Sequence, residues 1–191
     1  MTIDHSRVMA ALDAVPRRSF LPARLRHLAN ADQPLPIGHG ATNSQPWTVQ
    51  FMLDLLHVPE GAKVLDVGSG SGWTTALLAH LTGPKGSVLG LEIVPELVEQ
   101  GRANLAPFGM GWARIDPADP GRLGRPADAG YDRILVSADP GAIPSELEAQ
   151  LAIGGRLVLP ADGVMWVVDR HHEGWHREPV AGYRFAFVPL V

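Results

Sequence analysis

The segment Val64–Trp73, VLDVGSGSGW, limits what this 191-residue chain can fold into more than any other feature. A short apolar strand predicted over Lys63–Val67 runs into glycines at positions 68, 70 and 72. A helix predicted over Thr74–Leu81 follows, and a second predicted strand, Ser87–Glu92, ends on a carboxylate. A strand, a glycine turn, a helix and a second strand in this order indicate the first unit of a parallel sheet that carries a ligand on its turn.

Helices and strands continue to alternate beyond this unit. The pattern predicts a helix from Pro95 to about Leu105, a weaker strand at Trp112–Ile115, a strand at Tyr131–Ser137, a helix at Pro144–Leu151 and a strand at Gly155–Pro160. We therefore expect an α/β fold of the Rossmann-like type, with a doubly wound, mostly parallel sheet. Two further strands, Val164–Asp169 and Tyr183–Leu190, are predicted to form an antiparallel C-terminal edge.

The first 60 residues have a different pattern, which predicts a helical extension. Apolar residues recur at helical spacing within residues 5–14, whereas residues 30–46 are rich in Pro, Gly and Asn, as is typical of a loop. Ser44 then stands where a helix N-cap is expected, ahead of Pro46. We expect one domain over residues 1–191. It consists of an extension (residues 1–60), which contains a substrate loop at residues 30–46, and a cofactor-binding core (residues 61–191).

Composition excludes several classes of function. The chain has no cysteine, which excludes disulfides, thiolate zinc sites and cysteine nucleophiles. It has no apolar run long enough to span a membrane, and its N-terminus lacks the pattern of a secretory signal, so we expect a cytoplasmic protein without a membrane partner. A net charge of −4 argues against a nucleic-acid partner.

Two clusters of basic side chains are interpreted as solvated surface. The first is taken as an exposed helix face and consists of Arg17, Arg18, Arg24 and Arg26. The second is taken as a polar hairpin tip, with no metal site, and consists of His171, His172 and His176.

The spacing of the glycines indicates which ligand the turn holds. A dinucleotide site needs G-x-G-x-x-G, whereas here the third glycine comes two residues after the second and Trp73 follows it. A large ring at that position would crowd a pyrophosphate, and Asp66 would repel phosphate but attract an ammonium group. S-adenosylmethionine carries an amine and no phosphate, so the pattern favours it over a dinucleotide and over a turn that binds nothing. The residues expected to hold it are Asp66, Gly68, Ser69, Gly70, Gly72 and Glu92, the last as an acceptor for ribose hydroxyls.

Several segments together resemble one branch of the S-adenosylmethionine-dependent methyltransferases, the protein-L-isoaspartate O-methyltransferase family. The glycine segment is typical of the wider class. More specific segments precede it, namely PLPIG at residues 34–38 and TNSQP at residues 42–46. YDRILVSA (131–138), LAIGGRLVLP (151–160) and FVPL (187–190) follow it, so the resemblance covers nearly the whole chain.

The resemblance implies an enzyme that repairs damaged proteins. Such an enzyme transfers the methyl group of S-adenosylmethionine to the free α-carboxylate of an isoaspartyl residue in a protein or peptide, leaving S-adenosylhomocysteine. The α-carboxylate, with a pKa of about 3.5, is already ionised and requires no general base. We expect the enzyme to act as a monomer.

The same resemblance assigns roles to five residues. Ser44 matches the family's active-site serine, which implies that its hydroxyl hydrogen-bonds and orients the substrate carboxylate. Thr42 and Gln45 are expected to shape the same pocket. Leu159 and Pro160 match a segment that the family places beside the substrate peptide, although core packing explains them equally well.

Departures from the family pattern bear on specificity. The family's Gly-Asp-Gly-x-x-Gly segment, whose Asp helps to hold the adenine, corresponds to residues 119–124, where Pro120 replaces the acid. Asp116 or Asp119 is expected to substitute for it. Ala186 stands where the family tends to have Arg. Two alternatives therefore stay open: a related carboxyl methyltransferase that acts on an aspartate of a dedicated peptide or small molecule, and a non-catalytic module that binds S-adenosylmethionine.

Overall fold

The computed structural model describes residues 5–190, and a seven-stranded sheet forms its centre. The strands are β1 (Leu35–Gly38) and β2 (Ala41–Asn43), which form a separate hairpin, and β3 (Lys63–Val67), β4 (Ser87–Glu92), β5 (Ala113–Pro117), β6 (Tyr131–Val136), β7 (Leu151–Ala161), β8 (Val164–His171) and β9 (Gly174–Val180). The order across the large sheet is β5-β4-β3-β6-β7-β8-β9. The first five of these strands are parallel, β8 pairs antiparallel with β7, and β9 pairs antiparallel with β8. This arrangement confirms the predicted α/β architecture.

Five α-helices connect or flank the strands. They are α1 (His5–Ala14), α2 (Pro46–Leu56), α3 (Trp73–Thr82), α4 (Pro95–Leu105) and α5 (Ser145–Glu148), counted over the described residues 5–190. The first four agree closely with the sequence pattern. α5 is shorter than the predicted helix because the chain enters β7 at Leu151. None of the helices in the described part of the chain is both long and apolar enough to cross a membrane.

The alternation of side chains along the strands divides the core into two layers. Val64, Val88 and Leu135 point to one face of the sheet, and their neighbours Leu65 and Leu89 point to the other. The first face also packs against apolar residues of the N-terminal extension: Val8, Ala11, Val15 and Phe20. The extension thus shares a core with the sheet.

Besides α5, two segments differ from the sequence prediction. The stretch 30–46, predicted as a loop, contains the β1–β2 hairpin, whose turn is made by Gly38, His39 and Gly40, all with positive φ. The prediction of a strand at Tyr183–Leu190 is wrong, because Gly174–Val180 already occupies the free edge of β8. The final segment instead runs beside the loop after β6, where Asp139 N–H donates to the Val188 carbonyl and Leu190 N–H donates to the Asp139 carbonyl (both 2.8 Å).

Candidate functional site

A cavity of about 810 Å³ opens at the carboxyl ends of the parallel strands. Gly68 after β3, Glu92 at the end of β4 and Ser137 after β6 contribute to its wall. The strand order reverses between β3 and β6, which is where open α/β sheets bind their ligands. The β1–β2 hairpin and residues 188–190 also line the cavity, so segments from both ends of the chain enclose it.

The three glycines of the loop have two different tasks. Gly68 and Gly70 line the cavity with positive φ, and their lack of side chains lets a ligand lie against the backbone. Gly72 (φ 91°) faces the interior, where a Cβ atom would come within 2.9 Å of Ile115 Cδ1 and 3.2 Å of the Gly101 carbonyl oxygen. It therefore permits the close packing of α4 against the loop.

The ring of Trp73 does not stand over the loop as the sequence reasoning assumed. Its indole Nε1–H donates to the Val15 carbonyl (3.0 Å), and the Arg17 guanidinium lies 5.6 Å from its ring centre. The ring is buried against the N-terminal extension, and Trp73 is absent from the wall of the large cavity, although it contributes to a smaller cavity beside it. The argument that it would crowd a pyrophosphate is therefore wrong, although the spacing of the glycines is unaffected.

The Glu92 carboxylate is fixed at the edge of the cavity. Its Oε2 accepts from Gly70 N–H (2.8 Å) and its Oε1 accepts from Val94 N–H (2.9 Å). Each carboxylate oxygen can accept a further hydrogen bond. The group is thus held in place at the cavity and retains acceptor capacity.

Asp66 lies beneath the loop and is fully buried. Its Oδ2 accepts from the Thr74 and Thr75 hydroxyls (both 2.7 Å), whereas its Oδ1 has no hydrogen-bond partner among the described residues. Burial raises the pKa of the carboxyl to about 6, and the two threonine hydrogen bonds offset part of that rise. The Ser69 hydroxyl is likewise buried and unpartnered. Asp66 lines neither cavity at the loop, whereas Ser69 contributes to the wall of a smaller cavity described below.

Ser44 faces a smaller cavity of about 30 Å³, which shares Thr42, Gly68, Gly70 and Ser137 with the large one. The sequence predicted that Ser44 is the N-cap of α2, but Gln45 occupies that position. The Ser44 hydroxyl makes no hydrogen bond to any residue that the structure describes. It is consequently available to a ligand.

The cap of α2 comes from Asp32, which the sequence analysis did not single out. Asp32 Oδ1 accepts from Trp47 N–H (2.9 Å) in the first turn, and its Oδ2 accepts from the Gln45 side-chain amide (3.0 Å). Gln45 therefore helps to place α2, and Thr42 is the member of this segment that lines both cavities.

Arg17 is buried, and its interpretation as part of a solvated helix face is wrong. The guanidinium donates to the Asn43 side-chain oxygen (2.7 Å), to the Asn43 carbonyl (3.0 Å) and to the carbonyls of Ala31 (3.0 Å) and Gln33 (2.8 Å). Burial lowers the pKa of Arg17 to about 10. The Asn43 amide donates in turn to the Ser71 hydroxyl (3.2 Å), so Arg17 connects the substrate loop to the glycine loop.

Three other predicted site residues lie away from the cavity wall. Leu159 and Pro160 are buried within β7, where Leu159 belongs to the core layer opposite the extension. Asp116 is surrounded by three guanidinium groups, those of Arg102 (3.5 Å), Arg114 (3.2 Å) and Arg125 (3.7 Å). The acid that does line the cavity is Asp119.

A buried glutamine holds the loop that carries Pro120. Gln150 Oε1 accepts from Arg125 N–H (2.8 Å), and its amide donates to the carbonyls of Leu123 and Glu146 (both 2.9 Å). This loop forms the wall of the cavity beyond Glu92.

Comparisons with known proteins point to a single family. The sequence profile of Protein-L-isoaspartate(D-aspartate) O-methyltransferase (PCMT) matches residues 1–191. A protein-L-isoaspartate O-methyltransferase of Methanothrix thermoacetophila is 45% identical over 188 residues, covering 97% of this chain and 88% of the relative. One from Anaeromyxobacter dehalogenans is 44% identical over 198 residues, covering 100% of this chain and 92% of the relative.

Solved structures agree with this result. A protein-L-isoaspartate O-methyltransferase structure superposes with a TM-score of 0.86 at 23% identity, covering 98% of this chain and 61% of that one, which bears on the fold alone. A Plasmodium falciparum protein described as a protein-L-isoaspartate O-methyltransferase, in complex with S-adenosyl-L-homocysteine, superposes with a TM-score of 0.85 at 25% identity. That match covers 99% of this chain and 92% of the other.

Proposed function

This chain belongs to the protein-L-isoaspartate O-methyltransferase family, and from that premise we propose which of its residues carry out the methyl transfer. The protein is an S-adenosylmethionine-dependent O-methyltransferase that acts on isoaspartyl residues of proteins. The non-catalytic alternative is thereby set aside. The proposed site is the pair of adjoining cavities at the glycine loop.

The residues around the loop fit S-adenosylmethionine. The bare backbone at Gly68 and Gly70 accommodates the ligand, and Glu92 accepts from the two ribose hydroxyls. The Ser69 hydroxyl, which has no partner among the described residues, is the acceptor that suits the ammonium end, and the buried Asp66 charge beneath the loop favours a cation there. Asp119, rather than Asp116, is placed to meet the adenine end. When bound, the cofactor supplies a methyl group on an activated sulfonium.

We assign the substrate carboxylate to the smaller cavity, where the free Ser44 hydroxyl is the donor that orients it. The carboxylate is ionised at neutral pH, so the protein has no proton to remove. Its tasks are to exclude water and to align the carboxylate oxygen with the methyl carbon. Such alignment supplies about 7–11 kcal/mol in favourable cases. The single observation that carries this assignment is a serine hydroxyl beside the glycine loop that has no hydrogen-bond partner among residues 5–190.

The Ser44→Ala variant tests the assignment. Loss of a hydrogen bond to a charged group should lower kcat roughly ten- to hundredfold, because such a bond contributes about 1.5–3 kcal/mol. Affinity for S-adenosylhomocysteine, measured by calorimetry, should stay within about twofold, since no cofactor contact is removed. Turnover is followed as base-labile methyl esters on two peptides that differ only in isoaspartate or aspartate.

Ser19→Ala is the matched control, because Ser19 lies in the extension away from both cavities and should keep full activity. Equal labelling of the isoaspartyl and aspartyl peptides would contradict the substrate assignment. Full activity of Ser44→Ala would contradict the role of the serine.

We further propose that the enzyme acts as a cytoplasmic monomer on damaged proteins or peptides. A cysteine-free sequence suits a reducing compartment. Sedimentation velocity at micromolar concentration tests the monomeric state. A species near 20.5 kDa is expected, and a stable dimer would contradict it.

A further inference from the structure

Four aromatic rings form a contiguous cluster next to the segment that contains Ser44. Trp47 and Phe51, one turn apart on α2, stack with ring centroids 5.2 Å apart. Tyr183 and Phe185 of the C-terminal segment pack onto both of them, with centroids between 5.1 and 6.2 Å from the α2 rings. We call these four residues the aromatic platform.

Part of the platform faces solvent. Trp47 is 36% exposed and Tyr183 is 51% exposed, whereas Phe185 is buried beneath them. Large exposed rings in a contiguous group are typical of a binding surface. The four platform residues line neither of the two cavities, so the proposed cofactor and carboxylate sites give them no task.

Both segments that carry the platform lead directly into the wall of the cavities. Trp47 is three residues from Ser44, which faces the smaller cavity. Phe185 is three residues from Val188, which lines the larger one. Phe185 N–H also donates to the Gly163 carbonyl (3.0 Å), at the turn after β7 and thus at the sheet edge where the cavities open. The platform is therefore continuous with the site.

We propose that the aromatic platform binds the polypeptide that flanks the isoaspartyl residue, by receiving an apolar side chain of the substrate. This inference rests on the proposed function of the cavities. Three residues of chain reach at most about 10 Å, so Trp47 lies within that distance of Ser44. When the isoaspartyl carboxylate is held at Ser44, the substrate side chain two to four residues from the isoaspartyl residue reaches the platform. The ligand class is accordingly an isoaspartyl peptide with an apolar residue at that separation.

The test compares fluorescein-labelled isoaspartyl peptides with S-adenosylhomocysteine present. One set carries Phe two, three or four residues from isoaspartate, on either side, and the matched set carries Ser. Affinity is measured by fluorescence anisotropy, and kcat/KM is measured in parallel with S-adenosylmethionine. For at least one position the wild-type enzyme should bind the Phe peptide roughly three- to tenfold more tightly, as expected for an added aromatic contact.

Tyr183→Ala and Trp47→Ala should reduce that ratio of affinities towards one. Trp175→Ala is the matched control, because Trp175 is an equally exposed tryptophan (42%) on β9, and it should keep the wild-type ratio. Tyr183 is the more exposed of the two test positions, so its variant is expected to retain the wild-type circular dichroism spectrum.

Equal affinity for Phe and Ser peptides at every position would overturn the inference, and so would a ratio that survives both platform variants. Self-association of the wild type that is lost in Tyr183→Ala would also overturn it, in favour of a second copy as the occupant. Absence of methyl transfer to either peptide would contradict the proposed function, whereas the affinity ratio tests the platform by itself.

Discussion

The buried guanidinium of Arg17 joins segments that are distant in the sequence. It binds three backbone carbonyls of the substrate loop and the side chain of Asn43, which in turn reaches Ser71 in the glycine loop. A buried cation with these partners stabilises the fold, whereas its loss would leave several buried acceptors without donors.

Replacing Arg17 by Met should lower the free energy of unfolding by about 2–4 kcal/mol, because the acceptors in the loop become unsatisfied. Urea denaturation followed by circular dichroism measures this change. Arg18→Met is the matched control, since Arg18 is exposed, and should change stability by no more than about 0.5 kcal/mol. Similar effects of the two variants would contradict the structural role of Arg17.

Asp66 makes stability depend on pH. Its pKa is raised by burial from 3.8 to about 6, so between these values the folded protein holds a proton that the unfolded chain has released. The free energy of unfolding therefore falls as pH rises from about 4 to about 6, by up to about 3 kcal/mol for this one group.

Asp66→Asn removes the ionisation but keeps the shape. Without cofactor, the variant should approach wild-type stability near pH 4 and exceed it at pH 7.5, because the wild type then carries a buried charge. Urea midpoints at the two pH values measure the difference. A difference that does not change with pH would show that Asp66 is not the titrating group.

At the scale of elements, α2 is positioned by contacts at both of its ends. The Asp32 carboxylate caps its first turn. At the other end Arg156 donates to the Leu55 carbonyl (2.9 Å) and Arg133 donates to the His57 carbonyl (2.8 Å). These side chains satisfy carbonyls that a helix leaves unpaired at its C-terminus. The helix that follows Ser44 is thereby fixed against the sheet.

The glycine loop is held by its packing against α4. Gly72→Ala should destabilise the protein by about 2 kcal/mol or more, because the new methyl group would press on Ile115 and Gly101 in addition to the cost of a left-handed backbone. Gly109→Ala is the matched control: its φ is also positive (63°) but a Cβ atom meets nothing within 4 Å, so about 1 kcal/mol is expected. Equal losses in thermal unfolding would contradict the packing argument.

At the scale of the whole molecule, the extension and the sheet share one hydrophobic core, which supports the proposal of a single domain over residues 1–191. Phe20, fully buried, stacks on Phe108 with ring centroids 5.4 Å apart. The cavity also takes its wall from both parts. Because the two parts share a core, we expect the extension and the cofactor-binding core to unfold together.

Phe20→Ala should lower the free energy of unfolding by about 3–5 kcal/mol, as for other buried aromatic truncations. Its urea transition should stay single, with the same midpoint by tryptophan fluorescence and far-ultraviolet circular dichroism. Met9→Ala, at a 40% exposed position of α1, should have little effect. Two separate transitions in Phe20→Ala would indicate that the extension unfolds independently.

The sequence by itself determined the parallel part of the sheet, the glycine loop and the family. Strands β3 and β4 and helices α3 and α4 follow from local periodicity, and the positions of Gly68, Gly70 and Glu92 follow from their order in one strand–turn–helix–strand unit. These features depend on residues close together in the chain, which is why a linear pattern can reveal them. Ser44 was identified by the resemblance to the family, since from the local sequence alone a role as a helix cap was the better explanation of its hydroxyl.

Only the tertiary structure decided what depends on partners distant in the sequence. In the folded protein Asp32 caps α2 and Arg17 is buried against the substrate loop. Trp73 contacts the extension, and Asp116 lies among arginines. β9 pairs with the free edge of β8, and residues 183–190 contribute instead to the cavity wall and the aromatic platform. The physical reason is that each outcome is a competition among several possible partners, and the winner depends on which groups the packed core brings together.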